Sequence, residues 1–337
     1  MKSLRLYGPA DLRLVDEDAP VPGPGEELVR VTAVGLCGSD LHWYSESGIG
    51  EVHLSRPIVL GHEAAGVIES GPRAGRRVAI DPAIPCQRCD QCRAGHAHFC
   101  RALRFAGDGA FDGTLRELVA WPDDSLVPVP DTLSDTDAAM LEPLGVALHA
   151  IRLGELRPGM RVGVFGCGPI GLFLIQLARA SGATAIVSTD VLPHRLETAR
   201  EMGAGLALPV AGGSERAQLM AATGGLGLDV TFEAAGEDDA VETAIALAAP
   251  GGTAVIVGIP SKDRTTFTAS TARRKGLTIK LSRRMNRVYP EAIALVEAGL
   301  ADVRSVVTAS YPMSEAGTAF ARAAAREGSK IVVRPSA

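Results

Sequence analysis

Arg161-Val162-Gly163-Val164-Phe165-Gly166-Cys167-Gly168-Pro169-Ile170-Gly171 runs from an apolar strand through a Gly-x-Gly-x-x-Gly turn into an apolar helix over 169–180. The glycine pattern alone is a weak signal. Between a buried strand and a helix it reads as a dinucleotide-binding turn. Gly166 makes the tight turn, Gly168 lets the backbone approach a pyrophosphate, and Gly171 lets helix and strand pack closely. Pro169 and Ile170 open the helix, whose free N–H groups attract the phosphates. A second strand over 184–189 is followed by Asp190, 24 residues after Gly166. A carboxylate there accepts hydrogen bonds from both ribose hydroxyls of NAD and repels a 2′-phosphate. Arg195 pulls the other way, since a guanidinium can receive a phosphate or stack on adenine. The coenzyme expected is NAD.

Working outward, strand and helix patterns alternate: helix 194–202, strand 206–209, strand 228–233, helix 238–247 and strand 253–258. This series predicts a doubly wound α/β domain with a parallel sheet. Upstream the texture differs. Residues 1–36 read as short strands broken by turns, and 27–34, 59–70, 76–81 and 114–119 read as further strands, which suggests a barrel-like β domain. The stretch 133–153 reads as helical. After about Leu281 the chain mixes turn, a helix over 290–298 and a strand over 330–333, and this segment is expected to rejoin the first domain.

The loop from Pro82 to Arg101 has little to bury and carries Cys86, Cys89, Cys92 and Cys100. Cys-x2-Cys-x2-Cys-x7-Cys is metal-ligand spacing, and four thiolates close a tetrahedral zinc site. His96 and His98 lie in the same loop, but four thiolates already satisfy the metal. A second set is mixed. Cys37 stands after a strand, and His62 and Glu63 follow Gly61. Adjacent strand residues point to opposite faces, so both can ligate only if the backbone bends, and Gly61 permits that. In isolation a free cysteine is most often a small buried apolar residue. Beside a dinucleotide domain, however, a mixed S, N and O set fits an open zinc site that makes an alcohol acidic. Glu142 is a carboxylate amid apolar residues, suited to ligation directly or through water, or to a helix-terminus or salt-bridge role. Ser39 and His42 flank Cys37. They can relay a proton to solvent or simply hydrogen-bond within their loop.

The bulk properties limit the alternatives. With 337 residues the chain is long enough for two domains. Its net charge of -5 and the lack of any basic stripe beyond Arg283, Arg284 and Arg287 argue against nucleic acid as a partner. No apolar run is long enough to span a bilayer and no leader is evident, so a cytoplasmic location is expected, with no membrane partner. In a reducing compartment the six cysteines are not a disulfide framework.

Gly61-His62-Glu63-Ala64-Ala65-Gly66, the four-cysteine loop and Gly166-x-Gly168-x-x-Gly171 together resemble the zinc-dependent medium-chain dehydrogenases/reductases, over nearly the full length. Cys37-Gly38-Ser39-Asp40-Leu41-His42-Trp43-Tyr44, with Leu141-Glu142-Pro143-Leu144, is most similar to the polyol branch, the sorbitol and xylitol dehydrogenases. The resemblance implies an α/β protein: a GroES-like β-rich catalytic domain over 1–143, a Rossmann coenzyme domain over 144–280, and a segment over 281–337 returning to the first. It implies Cys37, His62, Glu63 and Glu142 at a catalytic zinc, the four clustered cysteines at a structural zinc, and Ser39 and His42 in a proton relay. NAD is expected against Asp190, Arg195, Ala234, Gly258, Ile259, Ser282 and Arg283. Trp43, Ile49 and Phe105 are expected to line the substrate cleft. Where the polyol branch carries Phe-Arg-Tyr, this chain has Ser282-Arg283-Arg284, and Arg284 stands near the expected tyrosine. The implied reaction moves hydride from a secondary hydroxyl of a polyol to NAD. A sugar acid or phosphorylated polyol, or a broader range of secondary alcohols, remains open as substrate. The family's bacterial members imply a homotetramer, with a homodimer as the other arrangement. A nucleotide-binding protein without turnover is the competing class, and the intact Cys37, His62, Glu63 and relay residues count against it.

Overall fold

The computed structural model describes residues 1–260 and 264–336. The chain forms two compact units. One comprises Met1–Glu142, Tyr289–Ile293 and the stretch from Val303; the other comprises Pro143–Val288 and Ala294–Asp302.

The second unit is built on a six-stranded, wholly parallel sheet. Across the sheet the order is Leu206–Pro209, Ala185–Asp190, Arg161–Phe165, Leu228–Glu233, Ala248–Ile256 and Thr278–Leu281. In sequence terms that is third, second, first, fourth, fifth, sixth. The order reverses between the first and fourth strands, which opens a crevice at their carboxyl ends. Val162, Val164, Phe165 and Phe232 are fully buried there. Helix Pro169–Ala180 buries every residue from Gly171 to Ala178, which accounts for its continuous apolar run. Gly171 has no room for a side chain: a Cβ would stand 1.9 Å from the Gly166 carbonyl oxygen.

The first unit contains a seven-stranded mixed sheet. Its order is Leu126–Pro128, Arg77–Ile80, Glu63–Ile68, Glu26–Gly35, Lys330–Arg334 and Val307–Pro312, with Leu118–Pro122 also paired to Glu26–Gly35. Only the last two strands in that order run parallel; the other pairs are antiparallel. Val29, Val31, Val34, Ile68, Val78, Ile80 and Phe320 form its core. A separate three-stranded sheet joins Lys2–Gly8, Asp11–Asp16 and Ile58–Val59. Among the described residues, no helix is long and apolar enough to cross a membrane.

Four local readings change. The strand expected over 59–70 is interrupted: Ile58–Val59 and Glu63–Ile68 are separate strands, with Gly61 between them at φ +91°. The strand expected over 114–119 lies at Leu118–Pro122. Gly113, Thr114 and Leu115 instead donate their N–H groups to the carbonyls of Val59, Gly61 and Leu60, wrapping the Gly61 bend. The helix over 133–153 is two helices, Asp135–Ala139 and Leu141–Gly154. Residues 38–46, read only as a loop beside Cys37, form a helix (Gly38–Glu46).

Candidate active site

Two chain segments meet around one buried carboxylate. Cys37 is the N-cap of helix Gly38–Glu46, and its N–H donates to Asp40 Oδ2 at 2.9 Å. The other oxygen, Asp40 Oδ1, accepts the Gly61 N–H at 3.0 Å and faces His62 Nδ1 at 3.5 Å. Asp40 is wholly buried. Burial alone would raise its carboxyl pKa, but the His62 imidazole and the two backbone N–H groups outweigh that and hold it below the ordinary value. Asp40 therefore locks the cysteine segment to the Gly61–His62 bend. Its chain neighbours drew notice in the sequence; its own role as this link did not.

The bend turns His62 out of register with the strand that begins at Glu63, so neighbouring side chains reach one place. A sulfur of Cys37, a ring nitrogen of His62 and a carboxylate oxygen of Glu63 lie within 4.8 Å of one another. Burial works against a charged His62, yet Asp40 and Cys37 hold the imidazole well above its ordinary pKa. With Asp40 facing Nδ1, the Nε2 edge is left toward Ser39, whose Oγ is 3.4 Å away. A carboxylate behind the far nitrogen of a ligand histidine is the usual way its orientation is fixed.

Glu63 is held from the opposite end of the chain. Lys330 Nζ, on the strand Lys330–Arg334, donates to both Glu63 oxygens at 2.7 Å and to the Leu36 carbonyl at 2.9 Å. Burial opposes the ammonium charge, but Glu63 and Cys37 hold Lys330 above its ordinary value. Gly35 makes room for this pair, because a Cβ there would stand 2.2 Å from Glu63 Oε2. Glu142 sits in the first turn of helix Leu141–Gly154 and is buried. Burial pushes its carboxyl up to about 8, against the pull of His62. Glu63 and Glu142 both act on the buried Lys330 ammonium, and Asp40 faces His62 instead.

Phe105 packs its ring on His62, centroids 5.4 Å apart. Ile49 is half-buried against the core, and Trp43 is buried within it. On the helix, His42 Nδ1 stands 3.5 Å from Glu46 Oε1. Arg284 belongs to the other unit, with φ +54°.

The four cysteines also converge, their sulfurs all within 4.8 Å of one another. Cys89 Sγ is 3.5 Å from Cys92 Sγ and 4.0 Å from Cys100 Sγ. Zinc–sulfur bonds of the usual length put tetrahedral sulfurs about 3.8 Å apart. The backbone N–H groups of Arg101 and Cys92 pull the Cys89 thiol down to about 6, which favours the thiolate, while burial pushes the Cys92 thiol up to about 12. Both clusters fit zinc: the four-sulfur set is closed, and the mixed set offers three ligands and an open position.

In the other unit, the Gly166 turn has φ +103°, and a Cβ would come within 2.7 Å of the Ala235 nitrogen. Gly168 differs: its missing Cβ would meet only Arg195 Nη1, at 3.7 Å. Open space therefore stands over the N-terminus of helix Pro169–Ala180, where a pyrophosphate fits. Asp190 Oδ2 accepts the Cys167 N–H at 2.7 Å and Oδ1 the Leu192 N–H at 2.9 Å, tying the second strand to the glycine turn. Glu233, unremarked in the sequence, ends the strand Leu228–Glu233. It is fully buried and accepts the N–H groups of Ala235 and Gly236, both at 2.6 Å. Ala234 N–H bonds Phe165 O, and Gly258 N–H bonds Glu233 O. Ile259 is exposed beyond them. Ser282 follows the edge strand, its N–H on Ile256 O, with Arg283 next in the chain.

Comparison with known proteins covers the same two regions. Residues 23–131 match the alcohol dehydrogenase GroES-like domain, and 169–298 match the zinc-binding dehydrogenase family. A protein of Arthroderma otae named "Probable D-xylulose reductase A" is 39% identical over 94% of this chain and 93% of its own length. The sorbitol dehydrogenase of Bacillus subtilis is 32% identical over 100% and 98%. The solved structure of a short chain alcohol dehydrogenase from Escherichia coli CFT073, complexed with NADH, superposes with a TM-score of 0.91 at 27% identity, covering 99% of both chains. The relatives extend end to end over both units, and each unit carries the metal cluster or glycine turn its family requires. This chain therefore belongs to the zinc-dependent medium-chain dehydrogenase/reductase family and is an NAD-linked oxidoreductase.

Proposed function

We propose that the protein oxidises a secondary hydroxyl of a neutral polyol to the ketose, with NAD as hydride acceptor. The observation that carries this is the convergence of Cys37, His62 and Glu63 on one point, with a histidine-bearing helix beside it. When bound, zinc supplies the polarisation that makes the hydroxyl acidic, and the nicotinamide supplies the hydride acceptor. Cys37, His62 and Glu63 would hold the metal, with Glu142 as a fourth ligand directly or through water. Lys330 fixes the Glu63 carboxylate through both oxygens, and Asp40 faces His62 Nδ1 as its counter-charge.

Ser39 and His42 are three residues apart on one helix, hence on one face. Ser39 Oγ receives the hydroxyl proton and passes its own to the His42 imidazole, which gives it up toward Glu46 and solvent. The His42 side chain is partly accessible and that of Glu46 exposed, as the outer end of a relay requires. Phe105 and Ile49 give an apolar wall against the carbon chain. At the coenzyme, Asp190 accepts the adenosine ribose hydroxyls and excludes a 2′-phosphate, while Gly168 leaves the pyrophosphate its place. The sorbitol dehydrogenase and the D-xylulose reductase among the relatives support the polyol class.

The test is a screen of NAD- and NADP-linked activity on zinc-loaded enzyme over polyols, sugars, sugar acids and their phosphates. The highest kcat/KM is expected for a neutral polyol with NAD. A sugar acid or sugar phosphate ranking first, or inactivity toward every alcohol at full metal loading, overturns the assignment.

A further inference from the structure

Arg116 is a half-buried arginine whose guanidinium has no hydrogen bond or ion pair among the described residues, and whose Nε is buried without a partner. The nearby acid that could neutralise it is already engaged. Asp112 takes Arg5 through both oxygens at 3.0 and 3.2 Å, Arg56 at 3.2 Å and the Val59 N–H at 3.1 Å. Glu17, also nearby, is paired with Arg5, and Glu26 accepts the Gly23 N–H. Arg116 lines a cavity of about 240 Å³ together with Arg104, Phe105, Phe111, Trp121 and the carboxylates of Glu26 and Asp112, the latter already neutralised by Arg5 and Arg56. Arg104 stacks on Phe111, its guanidinium carbon 6.0 Å from the ring centre. Trp121 spends its N–H on the Asp81 carbonyl, so only its ring is left to offer. Burial pushes the Arg116 guanidinium below its ordinary pKa, the mark of a cation short of a counter-charge.

We propose that Arg116 and Arg104 form a binding site for a small oxyanion, a phosphate or carboxylate, walled by Phe105, Phe111 and Trp121. A guanidinium fork matches either group bidentately, and the buried rings of Phe105 and Trp121 give it an apolar flank. Phe105 is shared, because the same ring packs on His62. The oxyanion has two sources with the same chemistry: a free ion, or the anionic end of a substrate. Apart from Phe105, the site uses none of the residues assigned to the metal or the coenzyme, and it does not depend on the polyol assignment.

The experiment is calorimetric titration of the zinc-loaded, full-length enzyme with inorganic phosphate and, separately, with acetate, chloride serving as the control for bulk charge. Saturable phosphate or acetate binding is expected, weakened about 10- to 100-fold in Arg116→Met, as loss of a charge-assisted pair implies. Arg104→Met, at the exposed edge, gives a second reading if Arg116→Met does not fold. Equal binding in wild type and both variants, or no binding beyond the chloride response, overturns the proposal. Kinetics with a neutral alcohol separate the sources. Competitive phosphate inhibition marks a substrate's anionic end, and phosphate binding at unchanged KM marks a free ion; both keep the site.

Discussion

Lys330→Met tests whether one buried ion pair holds Glu63, a proposed metal ligand, in place. Lys330 and Glu63 are 3% and 1% exposed. The ammonium makes three short bonds, two to Glu63 and one to the Leu36 carbonyl, so none of its hydrogens is idle. Methionine fills a similar volume without the charge. What remains is a carboxylate in a site already holding Glu142 and Asp40, and a carbonyl without that donor. Removing one partner of a buried pair costs about 3–5 kcal/mol. A zinc ion in the mixed cluster is a second partner for Glu63, so the penalty should be largest without metal and smaller with it. Urea unfolding followed by tryptophan fluorescence measures this directly, since Trp43 and Trp121 both lie in the unit concerned. The double variant Lys330→Met with Glu63→Gln should recover much of the loss, because no buried charge is then stranded. A zinc-free Lys330→Met protein within about 1 kcal/mol of wild type, the ceiling for an exposed pair, would refute the reasoning.

Two further outcomes are expected. Cys100→Ser removes the sulfur that accepts the Cys86 N–H at 3.1 Å and completes the four-sulfur set; metal content should fall from two ions per chain to one, and limited proteolysis should then cut within 82–101. Full metal retention would count against the cluster as a zinc site. Asp190→Ser should lower kcat/KM for NAD about 10- to 100-fold, chiefly through KM, while NADP is less affected. An unchanged NAD to NADP ratio in steady-state kinetics would contradict the ribose role.

The Rossmann half was legible because its signals are local. A buried strand, three glycines and an apolar helix occur within one stretch; Gly166 and Gly171 have no room for a side chain, and Gly168 leaves open space. Helix Pro169–Ala180 and strand Leu206–Pro209 match their sequence readings to the residue. The β half was read less well, for a physical reason. Residues 114–119 have strand-like composition, but their first N–H groups are drawn to the Val59–Gly61 carbonyls, and the strand starts only at Leu118. That competing partner is some 50 residues away in the chain, and no local propensity encodes it.

The same distinction separates the visible parts of the metal centre from its hidden ones. Cys37, His62 and Glu63 drew attention as chemically apt residue types near glycines. Asp40 and Lys330 did not, because an aspartate in a helix and a lysine in a C-terminal strand are unremarkable until their partners are known. Glu63 meets Lys330 across 267 residues. Yet these two decide how the ligands point: Asp40 ties Cys37 to the Gly61 bend, and Lys330 fixes both oxygens of Glu63. A ligand set can be named from residue types and spacing, because coordination chemistry selects them. The charges that orient it are chosen by the fold, so they become readable only where distant strands meet.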